Sequence, residues 1–172
     1  GNHESNGPAG NNIDNFALCL PHTLTPLTGR YSREYYFDYP AGTPLARIIN
    51  ISPNQNFLDE GTYTYTVGNA HYNWVADAID SARAAGIRWI VVGMHENCIS
   101  MGKKSCTIGE DLFNLMVDRK VDLILQGHDH NYQRSKQLAL GPGCSSIVRN
   151  VYNANCVVDD GSDNNYIKGA GT

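Results

Sequence analysis

Residues 88–95 read Arg-Trp-Ile-Val-Val-Gly-Met-His. The run is nearly continuously apolar up to Met94, the pattern of a strand covered on both faces. The flanking sequence follows the same logic. Upstream, His71, Trp74, Val75, Ala78, Ile79 and Ala82 recur at helical spacing. They predict a helix from about Asn69 to Ala85 that stops at Gly86. Downstream, Thr107-Ile108-Gly109-Glu110 matches a capping box and predicts a second helix, ending near the cations Arg119 and Lys120. Val121-Asp122-Leu123-Ile124-Leu125 predicts another buried-type strand, and a weaker strand is expected within residues 136–140. Strand, helix, strand, helix, strand indicates the α/β class, with a largely parallel layer and helices against it.

Nearer the start, aromatic residues from Glu34 to Tyr39 and β-branched residues from Leu45 to Ile51 flank Pro40-Ala41-Gly42, which predicts two strands in a hairpin. A short helix is expected from Ile13 to Leu20, stopped by Pro21. Residues 1–10, 21–30 and 53–68 are expected as loops. The 172 residues suffice for a single domain with a sizeable core. Thirteen Lys and Arg against 17 Asp and Glu give a net charge of −4. That balance excludes nucleic acid or an anionic membrane as the main partner, and no apolar stretch approaches the ~18 residues of a membrane span.

Five cysteines are many for a cytosolic domain. Cys98 and Cys106 bracket one short loop, and Cys144 and Cys156 bracket a second. Each pair can close locally in an oxidising compartment, or stay as buried thiols; Cys19 is left over. Asn50-Ile51-Ser52 is a glycan acceptor if the protein is secreted by a eukaryote.

The chemistry-bearing residues gather at strand ends. His95 closes the 88–94 run, and His128 and His130 come after the 121–125 run. Ligand sites of open α/β sheets lie outside the carboxyl ends of the strands. In an extended segment His128 and His130 would face the same way, ~6.6 Å apart along the backbone. That spacing suits one ligand on each of two metals ~3.5–4 Å apart, with Asp129 turned away. Gly127, before His128, allows close backbone approach. His95-Glu96-Asn97-Cys98-Ile99 opens like a zincin HExxH but lacks its second histidine. His22 and His71 are expected as packing or surface residues, Tyr132 and Arg134 as structural ones. Lys103 and Lys104 fall in the loop of residues 96–106, which is expected to be a solvated, disulfide-closed loop, the alternative being that its lysines reach an anionic substrate.

Gly1-Asn2-His3-Glu4, Val91-Val92-Gly93-Met94-His95 and Gly127-His128-Asp129-His130 resemble, in order, the third, fourth and fifth motifs of the calcineurin-like metallophosphoesterases. Residues 127–135, GHDHNYQRS, look closer to the purple acid phosphatase branch and its secreted bacterial and fungal relatives. The resemblance implies a four-layer αββα sandwich and a hydrolase of phosphate monoesters or diesters. It uses hydroxide generated at a pair of metal ions (Zn, Fe or Mn). It also implies that Asn2, His95 and His128 bind one metal and His130 the other. His3 would stabilise or protonate the leaving group, oriented by Glu4.

The family's first two motifs, which supply its bridging and terminal carboxylates, lie upstream of the third. The chain is therefore expected to be one partial catalytic domain, residues 1–172, incomplete at its N-terminus and at its C-terminus, with an upstream segment or cleaved chain supplying Asp ligands. Two divalent ions ~3.5 Å apart repel by roughly 19 kcal/mol at an effective dielectric of ~20. The four neutral ligands cannot hold such a pair, so this chain alone is expected to bind at most one metal and to be inactive. Two other readings stay open: a non-catalytic structural or interaction module on the same fold, and a mononuclear zinc hydrolase using His95, His128 and His130 with Glu4 as base.

Overall fold

The structure, a computed structural model, describes residues 1–5 and 12–172. In chain order the elements are helices α1 (Asn2–Ser5) and α2 (Asn12–Cys19), strands β1 (Leu27–Arg30), β2 (Glu34–Tyr39), β3 (Ala46–Asn50), β4 (Asn56–Phe57) and β5 (Gly61–Thr62). Helix α3 (Ala70–Ala84), strand β6 (Trp89–Gly93), helix α4 (Glu110–Asp118) and strands β7 (Leu123–Leu125), β8 (Gln137–Leu138) and β9 (Val157–Asp159) complete the order. The main sheet has five strands in the order β1-β2-β3-β6-β7. The β2–β3 hairpin forms as its sequence predicts, and β3, β6 and β7 run parallel, with Ile48 opposite Val91 and Val92 opposite Ile124. Each parallel step is bridged by a helix, α3 and then α4, as the βαβ rule requires.

Helix α3 begins where Asn69 Oδ1 accepts the Tyr72 amide at 2.8 Å. It ends at Gly86, whose φ of +72° is the left-handed conformation that glycine adopts without steric cost. Val75, Ala78, Ile79 and Ala82 are buried along one stripe, against Ile49, Ile90 and Val92 of the sheet and Leu112, Met116 and Val117 of the core. On that face Ile90 and Val92 are fully buried. The expected cover on both faces is not found among the described residues: on the opposite face Trp89, Leu123 and Leu125 are exposed.

Five local expectations change. Residues 2–5, expected as loop, form α1; residues 6–10 of that stretch lie outside the described residues. Residues 27–30, also expected as loop, form β1 because they pair antiparallel with β2, and the partner strand outweighs their weak strand propensity. Within 53–68, β4 and β5 make a small hairpin. The weak strand of residues 136–140 exists as β8, but it pairs antiparallel with β9 in a separate sheet. The capping box is not made. Helix α4 starts after Gly109 with no side-chain cap, because the Thr107 hydroxyl donates to Glu96 Oε2 at 2.6 Å instead.

Both local disulfides form, Cys98–Cys106 and Cys144–Cys156, and Cys19 is free and exposed. His71 pairs with Glu34 at 2.9 Å and stacks on Tyr63, and His22 lies against Tyr31, so both pack as expected.

Arg33 is buried among the carboxylates of Asp14, Asp59 and Glu60. The hydrogen bonds from Arg30 and Arg33 hold the Asp59 carboxyl at about 2, below its ordinary 3.8. A lowered carboxyl pKa gives stability that is present above the unfolded value and is lost as pH falls through the folded one. The melting temperature of Asp59→Asn should therefore lie below wild type at pH 5 and converge on it near pH 2. A constant gap across that range would contradict the pairing.

Candidate metal centre

The parallel strands β6 and β7 end side by side, and the site is built from the residues just beyond those two ends. Met94 N donates to Leu125 O at 3.0 Å and Gly127 N donates to His95 O at 3.0 Å, which continues the ladder past both strands. Gln126 Oε1 accepts the Cys98 amide at 2.6 Å and ties the two exits together. A Cβ at Gly127 would sit 3.1 Å from His95 O, so glycine there lets the two exits close.

Three of the sequence-predicted ligands meet at these exits. His95 Nε2 lies 2.8 Å from Asn2 Oδ1. The His95 and His128 rings stand edge to face with centroids 5.2 Å apart. Asn2 arrives on α1, and the residue before it passes so near that a Cβ at Gly1 would fall 2.7 Å from the His95 ring. Burial lowers the pKa of His95, His128 acts the same way, and Glu96 opposes them. That favours the neutral imidazole, the form that binds metal.

A fourth group was not singled out as a ligand from sequence. His95, Glu96 and His128 each offer a donor atom, and the three atoms lie within 4.8 Å of one another. Glu96 is buried and its Oε2 is 3.5 Å from His128 Nε2. In sequence it drew notice only as part of a failed HExxH, a helical pattern. The informative signal was different: an acidic residue leaving an apolar strand beside a histidine.

The remaining predicted residues lie apart from this cluster. His130 and His3 are exposed. The His128–His130 segment is not extended, because His128 sits at φ +68°, so the alternation expected to aim both rings one way does not apply. Glu4 Oε2 lies 2.6 Å from the Gly1 nitrogen. Asp129 points into the disulfide loop. It accepts from the Ser100 hydroxyl and from the Lys103 and Lys104 amides at 3.2 and 3.3 Å, and the Ser100 hydrogen bond leads in lowering its pKa. Arg134 lies over the Tyr166 ring and Tyr132 is exposed.

An open cleft of about 430 Å³ beside His95 is lined by Asn50, Met94, Gln126 and Gly127 among others. The sequon residue Asn50 thus stands in β3, opposite Gly93, at the edge of the cleft.

The donor set suits a metal. One amide oxygen and two imidazoles match the ligand preferences of zinc, iron and manganese. The buried Glu96 carboxylate supplies negative charge and, among the described residues, pairs with no lysine or arginine. A bound cation would balance it.

Comparison with known proteins places the chain in a family. An uncharacterized protein of Mycobacterium tuberculosis is 28% identical over 154 residues, covering 82% of this chain and 28% of that protein. A purple acid phosphatase of Glycine max is 27% identical over 173 residues, covering 92% of this chain and 34% of that protein. The structure of a purple acid phosphatase from yellow lupin (Lupinus luteus) seeds superposes with a TM-score of 0.57 at 19% identity, over 80% of this chain and 25% of that one. The chain thus spans about a third or less of the length of these relatives, and it shares the metallophosphoesterase fold. The family model for calcineurin-like phosphoesterases matches residues 1–132, and the chain belongs to that family.

Proposed function

We propose that the chain carries the metal-binding part of a metal-dependent phosphoric ester hydrolase, a phosphomonoesterase or phosphodiesterase whose complete site is binuclear. The observation that supports this reading is the meeting of Asn2, His95 and His128, from three separate segments, at the ends of β6 and β7. Those residues hold one metal. His130 contributes to the other, together with carboxylates from an upstream segment or cleaved chain that packs on the half-open sheet face of Trp89, Leu123 and Leu125. When bound, the metals acidify water and neutralise phosphoryl charge. His3 protonates the departing oxygen as the ester P–O bond breaks, and Glu4, which here lies against Gly1, turns to orient it. The two disulfides suit an oxidising, extracellular location.

The test is metal analysis of the full-length protein beside assays with p-nitrophenyl phosphate and bis(p-nitrophenyl) phosphate. About two zinc, iron or manganese ions per site and turnover of one ester are expected. At most one metal and no turnover would favour a non-catalytic module. Residues 1–172 alone should bind at most one metal and be inactive. Turnover by them would favour a mononuclear zinc hydrolase.

A further inference from the structure

We propose that Glu96 is a positioning residue for His128: its carboxylate accepts the Nε2–H of that imidazole and so presents Nδ1 to the metal that Asn2 and His95 also face. The inference rests on the metal site proposed above. It starts from the surroundings of the carboxylate. Glu96 is only 4% exposed. Its Oε2 accepts from Thr107 Oγ1 at 2.6 Å, its Oε1 from Gln55 Nε2 at 3.4 Å, and His128 Nε2 stands 3.5 Å from Oε2. A buried carboxylate is strongly disfavoured without compensating charge. Among the described residues His128 is the one basic side chain within ion-pair distance of it. A cation bound through the opposite nitrogen of the same ring supplies the missing charge without displacing Thr107 or Gln55.

The fixed parts of the network leave Glu96 little freedom. Gln55 accepts from the Ser5 hydroxyl at 2.9 Å, and Ser5 ends the helix that carries Asn2. Thr107 is held by the disulfide loop, since its amide donates to Asn97 O at 3.0 Å. One polar chain therefore runs from the Asn2 helix through Gln55 and Glu96 to His128. The backbone of His128 is fixed in the left-handed region, so side-chain rotation alone aims its ring, and the carboxylate is what the ring meets. At 3.5 Å the contact is longer than an ordinary hydrogen bond. It should tighten when metal on Nδ1 makes the Nε2–H more acidic. Metal-bound histidines commonly donate their free N–H to such a group, which sets the tautomer and strengthens the ligand.

The experiment uses the full-length protein and zinc, with affinity read by competition against a chromogenic chelator. Glu96→Gln keeps the shape and removes the charge, and its zinc affinity should fall by about 10–100-fold. Nitrogen-15 spectra of the zinc-loaded wild type should show His128 protonated on Nε2 and metal-bound on Nδ1. Cobalt-loaded wild type and E96Q should keep the same ligand-field band positions, because no ligand is lost. Unchanged zinc affinity in E96Q, zinc on Nε2 of His128, or a changed cobalt coordination number would each overturn the proposal. The last would make Glu96 a ligand. If wild type binds no zinc, the metal site itself falls. Should E96Q fail to fold, Thr107→Val leaves the carboxylate but frees it. It should show a smaller, measurable loss of affinity, and an unchanged affinity would overturn the proposal equally.

Discussion

His95→Ala is expected to abolish tight metal binding and to lower ester hydrolysis by the full-length protein by more than about 100-fold. The floor comes from the chemistry of metal sites, where losing even a group that only orients a ligand costs about 10–100-fold. His95 sits closer to the proposed centre than such a group does. Its Nε2 lies 2.8 Å from Asn2 Oδ1, and its ring meets His128 edge to face. The fold should survive the change. The ring is half-buried beside an open cleft and lies outside the core packed by Ile90 and Val92. Atomic absorption on the purified variant, with its melting curve, separates these effects. A variant that keeps its metal and its turnover would remove His95 from the site.

The largest effect on stability is expected at Asp38. Arg47 is buried, and its guanidinium lies over the Tyr36 ring, 3.9 Å from the centroid. Asp38 stands directly opposite Arg47 in the β2–β3 register and takes two of its donors, at 2.7 and 2.8 Å. Two further donors, both on Nη1, reach Ala78 O and Ser81 Oγ on α3, so this one pair joins the hairpin to the helix. Asp38→Ala strands a buried cation, which costs about 3–5 kcal/mol. For a domain of this size that corresponds to a melting temperature lower by roughly 10 °C. Arg47→Leu together with Asp38→Leu should recover part of the loss, because no charge is left unpaired. A fall within about 2 °C for the single variant would mean that water reaches Arg47.

The parts of the fold legible in the sequence were those whose burial is one-sided and periodic. The α3 stripe of Val75, Ala78, Ile79 and Ala82 is such a signal, and so are the apolar runs of β6 and β7. The apolar runs overstated their cover, because a strand rich in Leu, Ile and Val reads the same whether one face or both is packed in the described chain. Strand β1 was not legible, since Leu27-Thr28-Gly29-Arg30 becomes a strand only through its partner. At the site, the strand-end histidines drew attention to His95 and His128 and the family motif to Asn2, and these side chains meet in the structure. The turn after Gly127 was hidden. Alternation presumes extended backbone, and His128 adopts a positive φ. Glu96 was hidden for a related reason. Its role depends on Thr107 and Gln55, which are near it only in space, and the same contact removed the capping box that Thr107 had predicted.

Anomalous X-ray diffraction from crystals of the metal-loaded full-length protein bears on the central claim most directly. An ion is expected at ~2.0–2.2 Å from a nitrogen of His95, a nitrogen of His128 and Oδ1 of Asn2. Anomalous density elsewhere, with these three side chains bonded only to one another or to main chain, would contradict it.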